Sequence, residues 1–169
     1  MKKLTQITIY HDEEKKIIYQ IYFEDEKGLI QGGCKHYYEN GNILLDAIYK
    51  DNKREGAYKW FYSNGNIMEE ETYKDNKLEG AYKDYYKNGN IREEGTYKDD
   101  KREGAFKHYY ENGNILEEST YKNGKLDGAF KWFFINGNIM EEGTYKKGLK
   151  KGVFKKYNRD GSLIEAKTF

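Results

Sequence analysis

The chain has 169 residues, of which 37% are hydrophobic and 35% are charged, so a thick two-layer core is not expected. Its aromatic content of 17%, with 18 Tyr, 8 Phe and 2 Trp, exceeds that of a disordered chain and indicates that the chain folds. Thirty Lys plus Arg against 29 Asp plus Glu give a net charge of +1, which argues against a dedicated nucleic-acid binder because such proteins carry a basic footprint.

The N-terminal segment, residues 1–31, is expected to form a divergent hairpin that caps the fold, with its strands near residues 4–24. Thr5, Gln6 and Thr8 interrupt its first apolar stretch, so the segment does not have the pattern of a signal peptide. No apolar run approaches the roughly 20 residues that a membrane helix needs. The sequence therefore predicts a cytoplasmic location, or a secreted or surface location if a preceding segment was removed.

The sequence offers little for catalysis or metal binding. Cys34 is the single cysteine, which excludes an intramolecular disulfide and a cysteine-cluster zinc site, and the three histidines lie far apart. Every recurring polar residue recurs at the period of a repeat, and a sheet explains it better than an active site does. We therefore expect no enzyme activity, no catalytic residue, no metal site and no cofactor.

A 24-residue repeat dominates the rest of the chain. An Asn-Gly or Asp-Gly pair recurs in every unit, with its glycine at Gly41, Gly65, Gly89, Gly113, Gly137 and Gly161. A second glycine keeps the same spacing, at Gly32, Gly56, Gly80, Gly104, Gly128 and Gly152. Residues 32–169 are therefore predicted to be six hairpin repeats, the last a C-terminal cap, and to form one continuous domain with residues 1–31.

Each repeat is predicted to be one β-hairpin and a linker. Asn-Gly between aromatic and β-branched segments is a strong hairpin signal, because a type I′ turn needs positive φ at both central residues. A turn at Asn88-Gly89 places residues whose numbers sum to 177 opposite each other, so Tyr86 faces Ile91 and Lys83 faces Glu94. The same rule pairs Lys59 with Glu70, Lys107 with Glu118 and Lys131 with Glu142.

Alternation along these strands separates two faces of one sheet. We name them the aromatic face, which in this unit carries Tyr82, Tyr86, Ile91 and Tyr97, and the charged face, which carries Ala81, Lys83, Tyr85, Glu94 and Thr96. Stacked hairpins give about 14 strands. The sequence thus predicts an all-β fold, an elongated single-layer antiparallel meander in which each repeat is stabilised by its neighbours.

The repeat resembles a known family. Residues 104–128 read Gly-Ala-Phe-Lys-x-Tyr-Tyr-x-Asn-Gly-Asn-Ile, then Glu-Glu-x-Thr-Tyr-Lys-x-Gly-Lys-Leu-x-Gly, and this pattern resembles MORN repeats. It is most similar to the bacterial variant of the repeat found in MORN-type antitoxin family proteins. The resemblance covers residues 32–169 and implies an all-β hairpin array that acts as a scaffold, a dimerisation element or a partner-binding surface.

A position on the aromatic face, between two ring positions, varies widely. We name it the variable position, and it holds His36, Trp60, Asp84, His108, Trp132 and Lys156. One interpretation is a partly exposed groove that tolerates any residue. The other is a contact row in which Trp60 and Trp132 anchor a partner while Asp84 and His108 set specificity.

We therefore expect a non-enzymatic scaffold that binds another protein through its aromatic face. The candidate contact residues are Tyr58, Trp60, Tyr62, Tyr82, Asp84, Tyr86, Phe106, His108, Tyr110, Phe130, Trp132 and Phe134. The alternatives are an antitoxin or inhibitor that neutralises a toxin or nuclease, and a lipid-associated or cell-surface-associated factor. Homodimerisation and end-to-end self-association stay open, whereas nucleic acid and membrane are not expected as partners.

Overall fold

A computed structural model describes residues 3–169, and this part of the chain is all-β, without a helix. Its contacts group into two compact units, one that ends at Gly80 and one from Ala81 to Phe169. Each unit is an antiparallel sheet in which strands that follow one another in the chain pair with one another. This order confirms the predicted all-β antiparallel meander.

Seven strands lie entirely within the first unit. They are β1 (Thr5–Tyr10), β2 (Ile18–Glu24), β3 (Gly32–Tyr37), β4 (Ile43–Lys50), β5 (Lys53–Phe61), β6 (Ile67–Lys74) and β7 (Lys77–Leu78). Strands β1 to β6 pair in chain order, and the two-residue β7 pairs with β6. The pairing of β1 with β2 confirms the N-terminal hairpin.

The second unit begins within β8, which starts at the last residue of the first unit. Its strands are β8 (Gly80–Tyr85), β9 (Ile91–Lys98), β10 (Lys101–Arg102), β11 (Gly104–Tyr109), β12 (Ile115–Lys122), β13 (Lys125–Phe133), β14 (Ile139–Lys146), β15 (Leu149–Tyr157) and β16 (Leu163–Thr168). The short β10 pairs with β9, and the others pair in chain order.

The predicted register holds in the body of each hairpin and fails near the turn. Lys59 lies opposite Glu70, Lys107 opposite Glu118 and Lys131 opposite Glu142, as predicted. Beyond these pairs, towards the turn, the register shifts by one residue. The shift occurs in the hairpins β3–β4, β5–β6, β11–β12, β13–β14 and β15–β16. The Tyr86 N–H donates to the Asn90 carbonyl over 2.8 Å, so the prediction that Tyr86 faces Ile91 is wrong. The cause is a β-bulge, which adds one residue to the returning strand.

The Asn-Gly turns are not type I′ turns. The Gly89 N–H donates to the Tyr86 carbonyl over 2.9 Å, which closes a four-residue turn. Only the glycine of the Asn88-Gly89 pair has a positive φ, of 92°. A turn followed by a glycine in the left-handed region is the hairpin connection that includes a bulge, which explains the shifted register.

The type I′ geometry occurs in the predicted linkers instead. Asp51 and Asn52 have φ of 51° and 64°, and the residues that flank them, Lys50 and Lys53, pair directly. Two positive φ values in a two-residue loop define this turn. The equivalent pairs are Asp75-Asn76, Asp99-Asp100, Asn123-Gly124 and Lys147-Gly148. Each predicted linker is therefore a second hairpin turn.

A ladder of aromatic rings forms the core. Phe106 is 1% exposed, and its ring packs edge-on against Tyr97 and Tyr121, with centroids 5.5 and 5.2 Å apart. Further edge-on pairs join Tyr49 to Tyr58, Tyr58 to Tyr73, Tyr82 to Tyr97, Phe130 to Tyr145, Tyr145 to Phe154, and Phe154 to Phe169. Such pairs contribute about 0.5–1.5 kcal/mol beyond area burial, so rings form most of the core, together with the buried Cys34, Leu45 and Ala47.

Glycines lie beneath two of these rings, those of Phe106 and Phe154. A Cβ built on Gly95 would lie 2.5 Å from the ring of Phe106, and one built on Gly143 would lie 2.6 Å from the ring of Phe154. The equivalent positions of other repeats include Ala47 and Ser119, both buried. The ring of one hairpin therefore lies directly on the backbone of the hairpin before it.

Successive Asn-Gly turns are joined by asparagine side chains. The Nδ2 of Asn42 donates to the Ser63 carbonyl over 2.9 Å, and that of Asn114 donates to the Ile135 carbonyl over 2.7 Å. Asn90 and Asn138 make the same bond to the next turn. The second asparagine of the Asn-Gly-Asn motif thus holds neighbouring repeats together.

Candidate partner-binding face

The twelve predicted contact residues fall into three structural sets. The ring set forms the ladder and consists of Tyr58, Tyr82, Phe106 and Phe130. The variable set stands beside these rings and consists of Trp60, Asp84, His108 and Trp132. The strand-end set lies just beyond the strands and consists of Tyr62, Tyr86, Tyr110 and Phe134. The three sets differ in how much of each side chain a partner could reach.

The ring set is largely inside the fold. Tyr58, Phe106 and Phe130 are buried, and Tyr82 is half-buried. These rings support the tryptophans: the centroids of Tyr58 and Trp60 are 6.0 Å apart, and those of Phe130 and Trp132 are 6.1 Å apart. The ring set is therefore a platform beneath the contact surface rather than its outer layer.

The strand-end set is half-buried, and two of its tyrosines bond to neighbouring hairpins. The Tyr86 hydroxyl donates to the Tyr109 carbonyl over 2.7 Å, and the Tyr110 hydroxyl donates to the Phe133 carbonyl over 2.8 Å. Because these groups lie past the strand ends, strand alternation does not assign them to a face. The hydroxyls of Tyr86 and Tyr110 are used in joining repeats.

Asp84 has an internal partner that the sequence prediction missed. Its side chain is buried, at 6% exposure, and forms an ion pair with Arg92. Arg92 stands where other repeats have Met68, Leu116 or Met140. In this repeat both positions, Asp84 and Arg92, differ from those of the other repeats. The ion pair between them explains how a buried position accommodates an aspartate.

His108 belongs to a second internal cluster. Its Nε2 lies 3.2 Å from Oε1 of Glu93, and Nη2 of Arg102 lies 2.5 Å from the same oxygen. The Glu93 carboxylate raises the pKa of His108 above its ordinary value, which outweighs the opposing effect of burial. Burial opposes ionisation of Glu93, but His108 and Arg102 outweigh it and hold the pKa of this carboxyl below its ordinary value.

The two tryptophans are the large apolar members of the variable set. Trp132 is 38% exposed and lies directly between Glu117 and Glu141 on the neighbouring strands. Trp60 is half-buried and lies opposite Leu45 on one side and Glu69 on the other. Trp132 thus presents an accessible indole in the middle of a sheet face.

The charged face carries alternating charges along the row that crosses the strands. Nζ of Lys59 lies 2.6 Å from Oε1 of Glu70, and Nζ of Lys107 lies 3.4 Å from Oε1 of Glu118. The Tyr109 hydroxyl donates to Glu94 over 2.6 Å, and burial together with this bond raises the pKa of Tyr109 to about 12. Because acids separate the lysines, this face does not present a continuous basic stripe.

Within residues 3–169, no group of three or more His, Cys, Asp or Glu side chains is placed to hold a metal ion. The same residues contain no helix long and apolar enough to cross a membrane.

The family is decided by a match along the repeats. A family model described as a MORN repeat variant matches residues 31–51, 54–75, 78–99, 102–123 and 126–147, which together make up more than half of the chain. The chain belongs to the MORN repeat variant family. Each matched MORN repeat ends at the first residue of a type I′ turn. No curated protein shows significant similarity to the chain.

The MORN match confirms the resemblance seen in the sequence. MORN repeats are generally protein-binding or membrane-binding modules. The sixth predicted repeat, from Gly152 to Phe169, lies outside the five matched segments, although the structure gives it the same hairpin, β15 and β16. In this array, one MORN repeat comprises a strand, the Asn-Gly turn and the returning strand.

Proposed function

We propose that the chain is a non-enzymatic scaffold that binds another protein through its aromatic face. The observation that carries this proposal is the exposure of Trp132, which is 38% accessible although the ring packed against it, Phe130, is buried. Tryptophan is among the residues most enriched in the energetic centres of protein interfaces. A large ring that the fold leaves open on a rigid sheet is suited to insert into a pocket of a partner.

The charged face is the weaker candidate for the contact surface. Its lysines face carboxylates of neighbouring strands, as Lys59 faces Glu70 and Lys107 faces Glu118. Exposed ion pairs contribute roughly 0–1 kcal/mol each, and a partner would have to displace them. The aromatic face has ion pairs of its own, such as Glu141 with Lys150, but it also offers the apolar surface of Trp60 and Trp132.

Affinity capture tests this proposal. The immobilised wild-type chain and its Trp60→Ala/Trp132→Ala variant are exposed to native lysate, and retained proteins are identified by mass spectrometry. We expect a protein that the wild type retains and the tryptophan variant loses, while a Lys59→Ala/Lys131→Ala variant still retains it. Equal retention by the tryptophan variant would contradict the proposal.

The identity of the captured protein also tests a narrower form of the proposal. A toxin or a nuclease would make the chain an antitoxin or inhibitor, a role that the same surface would serve. A structural or enzymatic assembly would make it a scaffold in the general sense.

A further inference from the structure

A row of carboxylates crosses the aromatic face beside the variable position, and the fold neutralises two of them with its own cations. Glu93 pairs with Arg102, and Glu141 pairs with Lys150 over 2.6 Å. In both cases the cation follows the glutamate by nine residues. Arg102 lies opposite Tyr97 and Lys150 lies opposite Tyr145, so the two cations occupy equivalent places in their repeats.

The repeat between them lacks this cation. Leu126 lies opposite Tyr121, at the place of Arg102 and Lys150, nine residues after Glu117. Within residues 3–169, the Glu117 carboxylate has no ion pair within 4.0 Å. His108 lies opposite Glu117 in the strand pair, but its Nε2 is turned to Glu93. The half-buried Glu117 carboxylate therefore lacks the internal cation that Glu93 and Glu141 have.

This carboxylate stands next to the exposed tryptophan. Glu117 and Trp132 are direct cross-strand partners, so their side chains leave the same face of the sheet about 5 Å apart at Cβ. An indole face is the strongest aromatic site for a cation, and an adjacent carboxylate adds a charge-assisted hydrogen bond. The pair has the two elements that recognise a basic side chain.

We propose that Glu117 and Trp132 form a receptor site for a basic side chain, so that the partner docks a basic segment on the aromatic face with an arginine or lysine over Trp132. This inference rests on the proposed protein-binding function and specifies the chemistry of the partner at one position.

The fold itself shows cations held between a carboxylate and a ring, the ring there being the equivalent of Phe130, which lies beside Trp132. Arg102 pairs with Glu93 while its guanidinium lies 4.8 Å from the ring centroid of Phe106 and 5.2 Å from that of Tyr121. Lys150 pairs with Glu141 while its ammonium lies 4.3 Å from the ring centroid of Phe154. A basic residue of the partner would supply to Glu117 the positive charge that Arg102 and Lys150 supply to Glu93 and Glu141.

Peptide probes test this site directly. The chain is used in a Trp60→Phe background, so that the remaining indole, Trp132, reports binding through its Nε1–H resonance in a ¹H–¹⁵N spectrum. The probes are acetyl-Gly-Arg-Gly-amide, its lysine counterpart, and its citrulline counterpart, which keeps the shape of arginine without the charge. We expect saturable shifts with the arginine probe in the millimolar range and at least about fivefold weaker binding of the citrulline probe.

Two variants locate the interaction at Glu117. Glu117→Gln removes the charge, and Leu126→Arg places an internal cation where Arg102 and Lys150 have theirs. Each is expected to weaken binding of the arginine probe at least about fivefold, whereas the matched Leu126→Met variant leaves it unchanged. The lysine probe decides whether the site prefers a guanidinium.

The inference is overturned if the citrulline probe binds as well as the arginine probe, or if Glu117→Gln binds arginine like the parent. Either result leaves the proposed function standing when the tryptophan variant still loses its captured partner. Conversely, probe binding as expected with unchanged capture by the tryptophan variant would retain the cation site and remove the proposed contact surface.

Discussion

At the scale of single residues, substitutions in the repeat are matched by changes elsewhere in the same repeat. Asp84 is accompanied by Arg92, which stands where other repeats have Met68, Leu116 or Met140. A buried charge that loses its partner is strongly destabilising, so such residues have to change together. Variation at this repeat position therefore reflects pairing within the fold.

Lys147 provides a prediction about backbone strain. It has a φ of 52° in the type I′ turn before Gly148, a conformation that asparagine adopts more readily than lysine. We expect Lys147→Asn to raise the free energy of unfolding by about 0.5–1 kcal/mol, measured by urea denaturation. The same exchange at Lys122, which lies within β12, is the control and should bring no gain.

His108 and His36 provide a prediction about pH. The pKa of His108 is raised by Glu93, so its stabilising contribution is present at low pH and is lost as the pH rises through that value. Burial lowers the pKa of His36, so its contribution is present at high pH and is lost as the pH falls. The stability difference between wild type and His108→Gln should shrink from pH 5.5 to 8.5, and that for His36→Gln should grow. Unfolding free energies measured at both pH values check the two signs, and equal slopes would contradict the assigned environments.

At the scale of elements, each hairpin depends on the backbone of the one before it. A methyl group on Gly95 would meet the ring of Phe106, so Gly95→Ala should lower the free energy of unfolding by about 1–3 kcal/mol. Gly33 also lies in a strand, without a positive φ and with nothing within 4 Å of a built Cβ, so Gly33→Ala is the matched control. Thermal and urea denaturation compare them. Equal stabilities would show that the ring does not lie on the glycine.

The asparagine bonds between turns give a second prediction at this scale. Asn114→Asp removes the donor to the Ile135 carbonyl and should cost about 1–2 kcal/mol. Amide hydrogen exchange in the turn around Ile135 should become faster. Asn112→Asp in the same turn keeps the oxygen that accepts from the Asn114 N–H, so it should have little effect. Similar exchange in both variants would contradict a clamp between repeats.

The turns show what sequence reasoning could and could not predict about the elements. Strand positions and the Lys59–Glu70 type of pairing follow from the period and from alternation. The bulge does not, because Asn88-Gly89 fits both a type I′ turn and a turn that ends in a left-handed glycine. The second set of turns has the sequence pattern of linkers, because pairs such as Asp51-Asn52 and Lys147-Gly148 differ between repeats.

At the scale of the whole molecule, the family, the all-β meander and the two chemically different faces could be read from the 24-residue period. The exposure of individual rings could not be predicted from the sequence. Phe106 and Trp132 lie on the same face of equivalent strands, at positions two residues apart, and only their three-dimensional packing distinguishes them. The sequence signal for these ion pairs is the nine-residue spacing that joins Glu93 to Arg102 and Glu141 to Lys150. The residue nine positions after Glu117 is Leu126, so the same spacing shows that Glu117 lacks an internal cation.

The central claim, that the aromatic face binds a protein partner, is tested most directly by two matched double variants. Trp60→Ala/Trp132→Ala and Lys59→Ala/Lys131→Ala alter adjacent residues of β5 and β13 on opposite faces. The measurement is the Kd of each for the captured partner at two salt concentrations, with circular dichroism to confirm that both keep the strand spectrum. We predict a loss of at least about 100-fold for the tryptophan pair, less than about tenfold for the lysine pair, and a weak salt dependence. A larger loss for the lysine pair, with binding that falls steeply with salt, would contradict the account and assign the interaction to the charged face.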